Sequence, residues 1–436
     1  MCTIFFVLQL DCDDKHSERG ECFFSQSYEE ARARFRGAAL EAGGFELHNY
    51  TVKERDGRAL TTDIAIFAGR PDRVLVHLSG THGPEGYVGS AIQTSYLSYL
   101  DGSGRDEFLR DYRNELPTQI FVHAVNPFGF AYNRRVNEEN IDLNRNFLSP
   151  KEFQQARARP DDFAGYATFD HLLNPTSLQF SSPALNKLYN TFLTLKAIAS
   201  NGLLAIKRAM VTGNYHKPTG LYYGGKSMTT STRLLIEFLE DYFANIKEAV
   251  EGKGGVTRAV FVDVHSGLGP SGIDTLNMSP ESADLAYATF HDISAMEREQ
   301  SGYEEPPYGI IEFDGKPGNA AMAGYEDVIG GTTEYFCGAD FTPWATLKQE
   351  HSKLCVVQEF GTVAPQKVGE ALVQENYAWH FDPPLHAVAG AALRDVFYVD
   401  TATWKRSVHT RGIDVIQKSL QMLTGDKLPL PLDGEY

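Results

Sequence analysis

Cysteine is scarce in this chain of 436 residues. Cys2, Cys12, Cys22, Cys337 and Cys355 are odd in number and form no C-x-x-C pair. Disulfide scaffolds use dense, even cysteines in short secreted chains. The expectation is therefore free thiols in a reducing compartment, and a cytoplasmic protein. Basic charge is also short: 40 Lys and Arg stand against 57 Asp and Glu, a net charge of -17. That deficit argues against nucleic acid, whose affinity comes largely from Lys and Arg on phosphates. It argues equally against a basic membrane-surface patch, although an acidic chain can still hold a local positive pocket.

Long apolar runs are missing as well. The N-terminal "MCTIFFVLQLDCDD" is too short to span a bilayer. It lacks the leading positive charge and the small-residue cleavage site of a signal peptide. No membrane partner is expected. Neither a G-x-S-x-G nucleophile elbow nor a G-x-x-x-x-G-K-[ST] phosphate loop occurs, which leaves no serine for an α/β-hydrolase and no P-loop. "GLGPSG" (267–272) fits G-x-G-x-x-G. Pro270 and "IDTLNMSP" stand where a helix would have to open, so a dinucleotide site is not expected.

What is there reads as globular: 42% hydrophobic, 12% aromatic and 22% charged residues. The length allows two or three domains, but no repeat, low-complexity tract or Pro/Gly/Ser linker divides the chain. Residues 1–24 read as an extension of uncertain order and 25–436 as one catalytic domain. Ser27 and Glu30 make a capping box, Tyr28, Ala31, Phe35 and Ala38 follow at helical spacing, and Gly43-Gly44 stops the run. Strands are expected at 60–69, 72–80, 118–127, 258–267, 308–313, 353–361 and 394–400, and helices at 87–100, 184–200, 231–250, 366–377 and 412–423. Buried strands separated by helices indicate a layered α/β fold with a mixed, mostly parallel central sheet.

In such sheets ligands bind beyond the carboxyl ends of the strands, and three suggestive segments fall there. "VLVHLSG" delivers His82 and Glu85, "FVDVHSG" delivers His265, and "CVVQEFG" carries Glu359 near its end. Two histidines and a carboxylate form a known zinc triad with a fourth position left for water. A further glutamate could act as general base. The glycines of "SGTHGPEGYVGSAIQ" let a turn bring His82 and Glu85 to one ion. "NPFGFAYNRRVNEENIDLNRNF" (126–147) adds Arg134, Arg135, Asn144 and Arg145, and arginine suits bidentate carboxylate binding and oxyanion stabilisation.

Together these residues resemble the zinc carboxypeptidase superfamily, which includes metallocarboxypeptidases and aspartoacylase-type deacylases. The shared order is H-x-x-E, an Arg, an Asn-Arg pair, a distant His and a late Glu. "YHKPTGLYYGG", "DVHSGLGPSG" and "QEFGT" look like an uncharacterised branch of it, a domain of unknown function, over roughly residues 25–425. The resemblance implies a three-layer α/β/α fold of zinc-carboxypeptidase type. It implies one Zn2+ per chain on His82, Glu85 and His265, and Glu359 as general acid/base. Asn144 and Arg145 would bind a free carboxylate, and Arg134 or, preferably, Arg135 would serve the oxyanion. A substrate-capping tyrosine matches no position securely; Tyr222, Tyr223 and Tyr335 are candidates. The implied substrate is a peptide or small molecule with a free carboxylate, cleaved at an adjacent amide bond.

Blander readings stand beside these. His82 and Glu85 could be a solvated turn pair, and His265 a satisfied buried histidine. Arg134, Arg135 and Arg145 could pair with Glu138, Glu139 and Asp142 as a surface loop. Asp263, two residues before His265, could orient a ligand or merely end a strand. Residues 214–225 could be an ordered surface loop or a specificity loop. The alternatives at the level of function are an N-acyl amino acid deacylase and a metal-free binding module on the same scaffold.

Overall fold

The computed structural model describes residues 20–100, 114–180, 183–249, 255–290, 310–313, 323–345, 347 and 352–425. Eight strands form one sheet in the order β1-β2-β4-β3-β5-β8-β6-β7. They are β1 (Phe45–Arg55), β2 (Arg58–Phe67), β3 (Arg70–Ser79), β4 (Pro117–His123), β5 (Arg258–Ser271), β6 (Asp274–Met278), β7 (Ile310–Phe313) and β8 (Lys353–Gly361). The four central strands β4-β3-β5-β8 run parallel. β1, β2 and β6 add antiparallel pairings on the two sides, and β7 runs parallel to β6. The expected mixed, mostly parallel sheet is the one observed.

The central strands are near-continuous apolar runs because both faces are covered. Along β3, Leu75 enters one core while Val74, Val76 and Leu78 enter the other. Val260, Val262 and Val264 of β5 join Leu75, and Phe261 joins Val76. The first core is closed by helices α1 (Tyr28–Glu41), α2 (Gly86–Tyr99) and, at the C-terminal end of the chain, α10 (Ala402–Thr424). The second is closed by α6 (Thr230–Ala249) and α7 (Thr332–Cys337). These are the outer layers of an α/β/α sandwich.

α1 starts as its sequence dictates: the Ser27 hydroxyl accepts from Glu30 N at 3.1 Å, and Gly43 and Gly44 take positive φ just past its end. The remaining helices used below are α3 (Pro127–Tyr132), α4 (Pro183–Asn201), α5 (Leu203–Thr212), α8 (Pro365–Phe381) and α9 (His386–Phe397). Phe23 and Phe24, read as part of an extension, are buried against Tyr99, Tyr398, Trp404 and His409. Residues 1–19 lie outside the described residues.

Two expectations fail. Residues 394–400 are not a strand; 394–397 close α9, where Leu393 and Phe397, four residues apart, are buried on one helical face. The thiols are not all free. Cys337 and Cys355 are bonded with Cα atoms 6.3 Å apart, and Cys22 is also disulfide-bonded; Cys2 and Cys12 lie outside the described residues. The thiol argument for a reducing compartment therefore falls away. The Cys337–Cys355 bridge closes a loop of sequence separation 18, for which chain entropy gives about 3 kcal/mol. Under non-reducing conditions a Cys337→Ser/Cys355→Ser variant is expected to be less stable than the wild type by about that amount in chemical unfolding, which leaves the bond at Cys22 in place in both.

Candidate metal centre and active site

The parallel strands bring the chemistry to one edge. β3 ends at Ser79, and the turn after it places His82 and Glu85 at the mouth of the sheet. His265 lies on β5, directly opposite Glu359 of β8 in the ladder. Partners in register on neighbouring strands project from the same face, so the pairing alone sets these two side chains side by side. Asp263, two residues back, shares the face by period two.

His82, Glu85 and His265 converge and are almost wholly buried. His82 Nδ1 is 2.9 Å from Glu85 Oε1, His265 Nδ1 is 2.8 Å from Glu85 Oε2, and the two Nδ1 atoms are 3.2 Å apart. Ligands about 2.0–2.1 Å from a tetrahedral zinc are separated by about 3.3 Å, so the spacing fits such an ion. The outward nitrogens are held too: His82 Nε2 lies 3.1 Å from Asp142 Oδ1 and His265 Nε2 lies 2.9 Å from Asp263 Oδ2. Carboxylates there favour an Nε2–H proton and turn both Nδ1 lone pairs inward. Three electron-pair donors facing one another in a buried cluster favour a positive species between them, a proton on a ring or a bound cation. The donor set fits a divalent cation.

Burial and the neighbouring charges compete at each of these groups. Burial alone would raise the Glu85 carboxyl, but the charges and hydrogen bonds of His82 and His265 outweigh it and hold the group below the usual range. Burial likewise opposes ionisation of Asp142, and the Arg135 charge with His82 overcomes it. For His265 burial favours the neutral ring, but the Asp263 charge reverses this and raises its pKa well above the ordinary value. Asp263 is itself satisfied by Thr81 Oγ1 at 2.9 Å and by the Thr332 hydroxyl. Asp142→Asn or Asp263→Asn is expected to lower metal affinity about 10- to 100-fold while the fold persists, measured by competition with a chelator.

Glu359 is no part of the ligand set. Its Oε1 accepts from Leu268 N at 3.0 Å, and burial, reinforced by the Glu85 charge, pushes its carboxyl up to about 8. The two adjacent arginines separate cleanly. Arg134 is fully buried away from the site, with Nε donating to Glu375 at 2.6 Å, Nη2 to Asn140 at 2.9 Å, and its guanidinium over Trp379. Arg135 enters the site: Nε donates to Asp142 Oδ2 at 2.9 Å and Nη1 to Glu85 Oε1 at 3.4 Å. Asp142 thus bridges a metal-ligand histidine and an arginine.

Arg145 donates from Nε and Nη2 to Val211 O at 3.1 and 2.5 Å, and from Nη1 to Asn144 O at 2.7 Å. A guanidinium has five N–H groups, so one on each terminal nitrogen has no partner among the described residues and can donate to a carboxylate. Asn144 Oδ1 accepts from Thr332 N at 3.0 Å, which leaves its amide N–H groups as donors. Tyr222 lies beneath both arginines, 4.4 Å from Arg135 Cζ and 5.4 Å from Arg145 Cζ. Its backbone has φ 52°, a conformation that costs a non-glycine residue about 1–3 kcal/mol and that clusters at functional sites. Tyr223 has its carbonyl on Asp142 N at 2.8 Å. Tyr335 packs on Phe147 and Phe336 in the second core, away from the ligands.

Sequence reading missed Tyr325. Burial raises its phenol, and Tyr222, Glu359, Arg135 and Arg145 lie close enough to act on it electrostatically. No motif or periodicity marks it. The glycine argument also needs amending. A Cβ on Gly83 would lie 1.9 Å from the backbone carbon of Gly129 and 2.3 Å from Arg134 O. That glycine is required because the two motif loops meet backbone to backbone, not because an ion needs room.

A family model described as "Protein of unknown function (DUF2817)" matches residues 24–310 and 317–411. Among curated proteins no match is found. Among solved structures, the chain is similar to thrombin activatable fibrinolysis inhibitor at 13% identity, over 89% of this chain and 77% of that one, with a TM-score of 0.40. It is similar to a metallo-carboxypeptidase from Pseudomonas aeruginosa at 13% identity, over 91% and 71%, with a TM-score of 0.38. The murein-tripeptide amidase MpaA from Escherichia coli O157 matches at 16% identity, over 80% and 95%, with a TM-score of 0.29. Likeness at this level says nothing of activity.

Proposed function

Since the chain belongs to the DUF2817 family, whose name assigns no reaction, its activity rests on its own residues, and we propose a zinc-dependent hydrolase that cleaves an amide bond next to a free carboxylate. The observation that carries this reading is the convergence of His82 Nδ1, Glu85 and His265 Nδ1 with Glu359 in register beside them. His82, Glu85 and His265 would hold the ion, which when bound supplies Lewis acidity and an acidified water.

Glu359 takes the proton of the attacking water and hands it to the leaving nitrogen. Arg135 supplies charge where the carbonyl oxygen becomes negative, and Asp142 keeps its fork turned inward. The free N–H groups of Arg145 and the Asn144 amide hold the substrate carboxylate. Tyr222 supports both guanidinium groups from below. Tyr325, within electrostatic reach of Glu359 and Arg145, joins Tyr222 as a candidate to cover a bound substrate.

An N-acyl amino acid deacylase uses the same parts and differs in what lies beyond the scissile bond. Elemental analysis of the purified protein is expected to give about one zinc per chain. Screening peptides beside N-acyl amino acids then separates the two readings. Amidating the substrate carboxylate should cut kcat/KM about a hundredfold, since a paired charge at Arg145 is lost. No metal after zinc reconstitution would favour a binding module instead.

A further inference from the structure

The outer partners of the two histidine ligands are joined to each other. From His265 Nε2 the path runs 2.9 Å to Asp263 Oδ2, which also accepts from the Thr332 hydroxyl. The Thr332 main-chain N–H donates to Asn144 Oδ1 at 3.0 Å, and Asn144 N donates to Asp142 Oδ1 at 2.9 Å. That oxygen lies 3.1 Å from His82 Nε2. The circuit thus leaves one ligand ring and returns to the other. Asp263, Thr332, Asp142 and both rings are buried, whereas Asn144 is partly exposed. The member that a solute can reach is the one assigned to a substrate carboxylate.

We propose that Thr332 is the positioning residue that closes this circuit, aiming His265 with its side chain and Asn144 with its main chain. The decisive geometry is at Asp263. A carboxylate held at one oxygen can still turn about its Cβ–Cγ bond, and the ring it orients turns with it. Asp263 is held at both: Thr81 Oγ1 donates to Oδ1 at 2.9 Å, and Thr332 donates to Oδ2, the oxygen that faces His265. Asp142 is held likewise, by Asn144 N at Oδ1 and Arg135 Nε at Oδ2. At Asn144, an N–H on Oδ1 settles which end of the amide is which and leaves Nδ2 as the donor.

The support beneath Thr332 is firm. It opens α7, and its β-branched side chain keeps few rotamers there. Four residues on, Phe336 is fully buried with its ring centroid 5.0 Å from that of Phe261 on β5, and Cys337 is bonded to Cys355 of β8. β5 carries His265 and β8 carries Glu359. α7 is therefore fixed to the same two strands that bear a ligand and the general base. The inference rests on the metal-site reading, and its test includes a readout that needs no turnover.

Zinc affinity of the full-length protein would be measured by competition with a chelator. Thr332→Val keeps the shape and the main-chain N–H but loses the hydroxyl. Its affinity is expected to fall about tenfold, the low end for an outer partner of a ligand, since Thr81 still holds Oδ1. Thr332→Ser should stay near the wild-type value. In an Asp263→Asn background the valine substitution should cost no further affinity, because Thr332 acts through Asp263. KM on a substrate from the screen should be unchanged in Thr332→Val, whose N–H still holds Asn144. Wild-type affinity in a folded Thr332→Val protein overturns the inference. So does a full added loss on top of Asp263→Asn, or a serine variant as weak as the valine one. Should the valine variant not fold, Thr332→Ala beside Thr332→Ser isolates the same hydroxyl, and equal affinities would overturn the inference. Wild-type protein that takes up no zinc after reconstitution removes the metal reading and this inference together, which sets that failure apart from the others.

Discussion

Alanine at His265 is expected to leave the purified protein without its metal. The ring is one of three donors, and its loss removes a bond and the Asp263–His265 pair that orients it. Disturbing only an outer partner of a ligand costs about 10- to 100-fold in affinity, so losing the ligand itself should exceed about a hundredfold. Glu85 would keep His82 and Arg135 as partners, which limits damage to the fold. Elemental analysis after dialysis checks the outcome, with circular dichroism as the folding control. Near-stoichiometric metal in a folded His265→Ala protein would exclude this ligand set.

Glu359→Gln should do the reverse: metal retained, turnover lost. The amide is isosteric and can still accept from Leu268 N, but it cannot take a proton from water. General acid–base catalysis is worth about 10²–10⁴-fold, and a thousandfold loss in kcat corresponds to about 4 kcal/mol of transition-state stabilisation. KM should change little, because the substrate carboxylate is assigned to Arg145 and Asn144. Steady-state kinetics on the best substrate from the screen, beside zinc analysis, tests both halves. Full activity in the variant would remove Glu359 from the chemistry.

The strands that carry these residues were legible because burial on both faces leaves a continuous apolar run. β3, β5 and β8 announce themselves, and the bounds of β8 match the sequence reading. β1 did not, because "FELHNYTVKER" is an edge strand whose side chains are largely solvated. Residues 394–400 misled for the opposite reason: a short apolar run has no period of its own to separate strand from helix. At the site, the H-x-x-E turn, His265 and Glu359 could be named only together, from their strand-end positions and the order of motifs that carries the family resemblance. Arg134 and Arg135 could not be told apart, since what separates them is Glu375, 241 residues downstream, against Asp142. The Cys337–Cys355 pairing was invisible in the same way. It depends on α7 packing against the sheet, and spacing carries no record of that.

The contact between Gly83 and Gly129 also bears on how this site can change. With the two backbones touching, the distance from the His82 turn to the Arg135 loop is set by main-chain atoms, which do not vary from one residue type to another. Substitutions elsewhere in either loop can therefore alter cleft shape without disturbing that separation. Neither loop can be lengthened, transplanted or randomised by itself at the contact. For anyone recombining this scaffold, residues 80–86 and 126–135 are one inheritable unit, split between the segments that follow β3 and β4 and exchanged whole or not at all.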